Sequence, residues 1–249
     1  MTNENPVNSV KFEFIELTET SIKFALQCNV SFANGLRRIL LGELATLAID
    51  YVEITENTSV FADEMVANRL GLLPLDDRIS LIEKDACDCD EHCEKCAVVF
   101  QLNRTNNTVE NMDVLGRDLT NSHGLQMGGS NVLICKLAPK QSIKLRCVAR
   151  RESCVSANSR HAKFSPVTAV AFSYDEENVK KHTVLWKENN ETVGESWPFV
   201  NEDSGVYDLR KVERVVMNVE VVEGVGKPKE ILKKGLELYK KKFERILDA

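Results

Sequence analysis

The densest group of side chains able to do chemistry is Cys87-Asp-Cys89-Asp-Glu-His-Cys93-Glu-Lys-Cys96, spaced C-x-C-x3-C-x2-C. Zn2+ favours four soft donors in a tetrahedron, with sulfur at about 2.3 Å. Two close pairs on a tight loop can wrap four thiolates round one such ion, so Cys87, Cys89, Cys93 and Cys96 are the candidate ligands. Four sulfurs fill the shell and leave no position for a reacting water, which makes the site structural rather than catalytic. His92 is a further donor that the four cysteines make unnecessary. A reduced cysteine-rich loop and an iron–sulfur site are the competing readings.

The charge of this loop narrows its role. From Glu83 to Glu94 six acids (Glu83, Asp85, Asp88, Asp90, Glu91, Glu94) surround a single cation, Lys84. Zinc held by four thiolates is itself a dianion, so the patch repels phosphate, whereas a DNA-reading zinc module presents Lys and Arg. The opposite bias holds from Ser130 to Ser165, where eight basic residues meet one acid, Glu152. That segment reads equally as a surface for phosphate or an acidic partner and as a solvated face. The net charge of −6 gives the whole molecule no general attraction to nucleic acid.

No enzyme signature accompanies the cysteines. There is no Gly-x4-Gly-Lys-Ser/Thr phosphate loop, no Gly-x-Ser-x-Gly elbow and no pair of carboxylates in an apolar setting. His92, His123, His161 and His182 are dispersed. The His-x-Glu…Pro-Cys-x-x-Cys pattern of zinc deaminases is missing, because Glu91-His92 precedes Cys93-x-x-Cys96 without the required Pro. A chain without catalytic residues, which contributes surface and geometry, is expected.

The elements that must position these residues come from ordinary globular material, 43% hydrophobic and 28% charged. A chain of 249 residues can build one large domain or two modest ones. No run approaches the roughly 20 apolar residues of a membrane span. Met1 to Ser9 is polar, unlike a secretion signal. An intracellular, non-membrane setting is expected, in which the eight cysteines stay reduced instead of forming a disulfide framework.

Phe12 and Phe14, then Ile22, Phe24 and Leu26, alternate with polar neighbours around Thr18-Glu19-Thr20, which predicts a β-hairpin. Ser31 can cap a helix running to Leu47, with Phe32, Leu36, Leu40, Leu44 and Leu47 at steps of three or four. A strand at 51–56 follows, then a second helix from about Val60 to Leu70, stopped by Gly71. Alternation at Val98, Phe100 and Leu102 and at Ile143, Leu145, Cys147 and Ala149 marks strands in the middle. Arg104 to Gly129, rich in Asn, Thr and Gly, reads as loop. Strands are predicted again at about 167–174 and 215–222, around a polar surface excursion from Asp175 to Ser204. Pro228 opens a terminal helix, where its missing N–H costs nothing. The fold class is α+β.

Leu232, Leu236, Tyr239, Phe243 and Ile246 recur in that helix with a period of 3.5, the seam of two packed helices. Two readings stand: a helix lying on the chain's own sheet, or one that meets a partner helix. The first helix poses the same choice. Its Arg37-Arg38 pair lies beside the stripe and is either a solvated edge or a bidentate contact across an interface.

Asn34-Gly-Leu-Arg-Arg-Ile-Leu-Leu, then Thr46-Leu-Ala-Ile-Asp and Asn57 through Pro74, resemble the N-terminal signature of the alpha-like subunits of RNA polymerase. The likeness is dense over about residues 10–76 and is one of pattern in the final strand and helix. The four cysteines, with His161-Ala-Lys-Phe-Ser-Pro and Lys181-His-Thr-Val-Leu-Trp186, narrow it to the zinc-binding, third-largest subunit type of eukaryotic polymerase II. The paralogous type shared by polymerases I and III lacks the four cysteines in its usual pattern. Gly35 departs from the family, which usually places Ala or another small residue there, at a helix-propensity cost of about 1 kcal/mol.

The resemblance implies a discontinuous dimerisation domain, residues 1–47 with 166–249. A mostly β domain, 48–165, is inserted in it and carries the zinc loop 85–98. It implies that Phe32, Leu36, Arg37, Arg38 and Leu40 on the first helix face a smaller alpha-like subunit, together with Leu232, Leu236, Tyr239, Phe243 and Ile246 on the last. The heterodimer would then be the platform for the second-largest and largest polymerase subunits in the nucleus, alongside other small subunits. The inserted domain, including Asp63 to Leu73 and the basic segment near Arg150, would contact those large subunits. DNA would be reached only through the complex.

Overall fold

The computed structural model describes residues 11–174 and 214–248, apart from 78, 80, 122, 126 and 157–159. The stretch from Asp175 to Ser204 and the Lys181–Trp186 motif lie outside the described residues. Among the described residues are two antiparallel sheets, three α-helices and a small β-ribbon, the α+β class expected.

The first sheet draws on both ends of the chain. β1 (Phe12–Leu17) and β2 (Ser21–Gln27) form the predicted hairpin, whose turn is closed by the Ser21 N–H donating to Thr18 Oγ1 at 2.9 Å. β2 then pairs with β10 (Arg214–Val221), and β10 with β9 (Val167–Tyr174), giving the order β1-β2-β10-β9. Alternation places Ile22, Phe24 and Leu26 with Val215, Met217 and Val219 on one face, and two helices cover it. The first, α1 (Val30–Arg38), is capped by Asn29, whose side chain accepts from Phe32 N–H at 2.8 Å. Asn29 replaces the expected Ser31 because the turn must begin there for Ala33 and Leu36 to point inward. A π-helical segment, Ile39–Glu43, ends the helix early, so Leu44 is extended and Leu47 belongs to the next strand.

α3 (Pro228–Leu247) crosses α1 at two glycines. A Cβ on Gly35 would come within 2.1 Å of Tyr239 Oη, and one on Gly235 within 2.5 Å of Leu40 Cδ2. Each helix thus offers bare backbone to a side chain of the neighbouring segment. The departure at Gly35 has its physical reason here, since the Tyr239 ring occupies the space a methyl would need.

β3 (Thr46–Asn57) leads into the second sheet, in which it is followed by β8 (Ser142–Glu152), β4 (Ala97–Thr105) and β6 (Thr120–Asn121). β8 runs between β3 and β4. α2 (Asp63–Gly71) seats Val66 and Leu70 on a core of Leu47, Ile49, Val98, Phe100, Ile143, Leu145 and Cys147. The segment expected as loop holds β5 (Met112–Leu115) and the short β6 (Thr120–Asn121). β5 pairs with β7 (Leu133–Leu137), and β6 with β4. Among the described residues no helix is long and apolar enough to cross a membrane.

The two sheets are tied together where the chain passes between them. Asp77, 6% exposed, accepts from Lys234 of α3 at 2.8 Å and lies 2.7 Å from Nη2 of Arg151 on β8. Its N–H donates to Val225 O at 3.1 Å. Gly128 and Gly224 touch backbone to backbone, and Gly224 holds φ +85°, which a side chain rarely adopts. Gly224→Ala therefore combines a left-handed backbone penalty with a clash against Gly128, about 3 kcal/mol in all. Urea unfolding should show a lowered midpoint, and an unchanged midpoint would mean that the two glycines do not meet.

Candidate metal centre and partner surface

The cysteine loop hangs between a short turn and a strand. A 3-10 turn, Lys84–Ala86, precedes Cys87. At the far end the Cys93 carbonyl accepts from Cys96 N–H at 3.1 Å and Ala97 N–H at 2.9 Å, a tight turn that places Cys96 at the start of β4. Ile82 N–H to Lys95 O, 3.0 Å, closes the base.

The four sulfurs converge. Cys87–Cys89 is 3.5 Å, Cys87–Cys93 3.6 Å, Cys89–Cys96 3.5 Å and Cys93–Cys96 3.7 Å, and all four lie within 4.8 Å of one another. A tetrahedron with sulfurs at 2.3 Å from its centre has edges of about 3.8 Å. A disulfide would need about 2.05 Å, and all eight cysteines are free. The spacing suits one ion and is too tight for a cluster with bridging sulfides. Cys96 is fully buried, and burial pushes its thiol up to about 12. Cys93 is drawn down to about 7 by a hydrogen bond from the Lys95 backbone and then one with Cys87. On a thiol as dry as Cys96 a metal ion competes with the proton for the sulfur. The donor set can hold a metal ion.

His92 faces away from this group. Its Nε2 lies 2.9 Å from Arg146 Nη2 and accepts, since a guanidinium can only donate. Arg150 donates to Glu91 O at 3.3 Å, so two arginines of β8 clamp the loop to the sheet. These pairings were not legible in the sequence, because nothing local in the pattern joins position 92 to 146 or 91 to 150. The basic run is largely consumed in this way. Arg146 also meets Glu53 at 3.7 Å, Arg150 meets Asp50 at 3.9 Å, Lys163 meets Asp50 at 2.9 Å and Lys136 meets Asp113 at 3.4 Å. Of the two readings of Ser130–Ser165, these pairs favour the solvated face over a surface for phosphate.

The helix stripes divide. Leu36 and Leu40 are wholly buried and Leu232 is 4% exposed, all in the chain's own core. They cannot be surface for another polypeptide, because they already cover Phe24, Val215 and Met217. Leu236, Phe243 and Ile246 are exposed at 38, 48 and 70%. Phe32, Tyr239 and Phe243 stack in a row, with centroids 5.0 and 4.9 Å apart. A cleft of about 260 Å³ opens beside them, lined by Gly35, Arg38, Ile39, Glu43, Lys242 and Ile246. Arg37 turns back to Asn34 Oδ1 at 3.2 Å, while Arg38 is exposed.

The RNA polymerase Rpb3/Rpb11 dimerisation domain matches residues 26–243. The chain belongs to this family. It is 36% identical to the DNA-directed RNA polymerase II subunit RPB3 of Schizosaccharomyces pombe, over 91% of this chain and 82% of that protein. To the Arabidopsis thaliana subunit 3 of DNA-directed RNA polymerases II, IV and V it is 37% identical, over 66% of this chain and 57% of that one. The Rpo3 subunit of Pyrococcus furiosus RNA polymerase is 32% identical, over 72% of this chain and 65% of its own length. Membership in a dimerisation family implies pairing with another alpha-like subunit within an RNA polymerase.

Metal analysis of the purified chain should find close to one zinc per chain. Replacing Cys93 and Cys96 by Ser should abolish it, and acidification should release it, because thiols must shed their protons to ligate and acid returns them. Unchanged zinc content in the double variant would refute the ligand set.

Proposed function

We propose that the chain is a non-catalytic assembly subunit of DNA-directed RNA polymerase II, acting in the nucleus, with one structural Zn2+ on Cys87, Cys89, Cys93 and Cys96. It pairs with a smaller alpha-like subunit, and the heterodimer receives the second-largest and then the largest subunit, with other small subunits around it. DNA is engaged only through the complex. Residues 1–47 and 166–249 serve as the dimerisation domain and 48–165 as the inserted domain, with the zinc loop at 85–98.

The observation that carries this reading is the uncovered part of the helix stripe. Leu236, Phe243 and Ile246 continue the period of buried Leu232 but leave the sheet behind. Large apolar side chains in a row beside an aromatic stack are what a partner helix covers. Phe32, Arg38 and Tyr239 border the same surface, and Arg37 reinforces its edge. The alternative, the paralogue shared by polymerases I and III, is disfavoured by the cysteine set and by relatives that carry the polymerase II name.

Co-expression with the smaller alpha-like subunit tests the seam. Phe243→Asp with Ile246→Asp should weaken pairing by about 2 kcal/mol or more, roughly 30-fold in Kd, while zinc and fold are kept. Leu36→Asp should instead unfold the chain, because it places a charge in the core. Undiminished pairing of the double variant would sink the assignment.

A further inference from the structure

We propose that Lys84 is a positioning residue of the metal centre, its ammonium neutralising the Cys89 sulfur and shielding it from electrophiles. The inference rests on the reading of the four cysteines as a zinc site. Lys84 Nζ lies 3.2 Å from Cys89 Sγ and also donates to the Cys89 carbonyl oxygen. The cation is therefore held to one ligand residue at two points. Among the described residues no other cation donates to a sulfur of the cluster. Cys96 Sγ instead takes a backbone N–H, that of Cys93, at 3.3 Å.

The surroundings give this contact its importance. Zinc with four thiolates is a dianion, and the exposed carboxylates of Glu83, Asp88, Asp90, Glu91 and Glu94 add to the negative field. A sulfur in such a field is electron-rich, and thiolate character governs attack by electrophiles. An ammonium hydrogen-bonded to one sulfur withdraws density from it and lowers its nucleophilicity, while its positive charge offsets the dianion and keeps that sulfur ionised for the metal. The backbone fixes the donor in place, since Cys87 N–H donates to Lys84 O at 3.0 Å and closes the 3-10 turn that starts at the lysine. The one cation among six acids thus sits on a ligand. Of the three partly exposed ligands, Cys87, Cys89 and Cys93, the lysine protects Cys89 alone.

The test uses the full chain, its Lys84→Met variant, which keeps the aliphatic stem, and Lys84→Arg, which keeps the charge, each loaded with one equivalent of Zn2+. Failure of the parent chain to retain zinc would overturn the zinc reading itself. With zinc in place, mass spectrometry follows carbamidomethylation by iodoacetamide, in which each sulfur displaces iodide, at Cys87, Cys89 and Cys93. Lys84→Met should alkylate about 10-fold faster at Cys89 relative to Cys87 and hold zinc about 10-fold more weakly against a chelator, and Lys84→Arg should restore both. With Co2+ in place of zinc, the sulfur-to-metal charge-transfer band of Lys84→Met should move to lower energy. An equal acceleration at all three cysteines, as a merely loosened loop would give, or an unchanged Cys89 rate overturns the proposal.

Discussion

Asp77 is a carboxylate almost removed from water, and its two cations come from distant parts of the chain. Arg151 reaches it from β8 and Lys234 from α3. A buried charge deprived of its partner costs several kcal/mol, so the arrangement that supplies both cations is strongly enforced. Arg151 also donates to the carbonyls of Ala45, Asp77 and Ile79, which draws the end of the π-helical segment into the same knot. β8 then serves two masters through its period of two. Ile143, Leu145, Cys147 and Ala149 share a face with Arg151 and build the core. Arg146 and Arg150 share the other, and they grip the cysteine loop. The metal loop therefore lies on the reverse of the face that anchors α3.

The crossing of α1 and α3 is the second constraint, and it decides what α3 can offer outward. Gly35 and Gly235 let the helices approach until Tyr239 and Leu40 fill the space above bare backbone. At that distance Ile231, Leu232 and Gly235 are enclosed, whereas one turn further on the helix has run past the sheet. Lys242 pairs with Glu43 at 2.6 Å and steadies the overhanging end against the π-helical segment. The result is a rigid aromatic row with one side uncovered, the preorganised surface that binding favours because little freedom is lost on docking.

Local patterns were legible in the sequence. The C-x-C-x3-C-x2-C spacing identified the four sulfurs that the fold brings together, because a tight loop leaves them few other arrangements. The long helices and the core strands could be read from periodicity, and Pro228 marked the start of α3 correctly. Periodicity could not say what a stripe faces. Leu232 and Leu236 are the same residue type four apart, and only the helix crossing buries one and exposes the other. β5 and β6 escaped notice because short strands in Asn- and Gly-rich sequence are stabilised by partners far along the chain. Asp77 carried no signal of its own; its meaning lies at positions 151 and 234.

Charge shows how far composition can mislead and where it can be trusted. The basic run from Ser130 to Ser165 looked available to phosphate, yet Lys136, Arg146, Arg150, Arg151 and Lys163 are paired with acids of the same chain. Pairing offsets the charge that a phosphate would meet, and the exposed pairs, those of Lys136 and Arg146, contribute little stability of their own. What they supply is register: Lys136 ties β7 to β5, and the others fix a loop or a strand to β8 or its neighbour β3. The acidic run behaves in the opposite way, because the carboxylates of Asp88, Asp90, Glu91 and Glu94 stay exposed around the cysteines. A loop that gathers exposed acids round its cysteines repels phosphate, so nothing in its charge draws this face to nucleic acid.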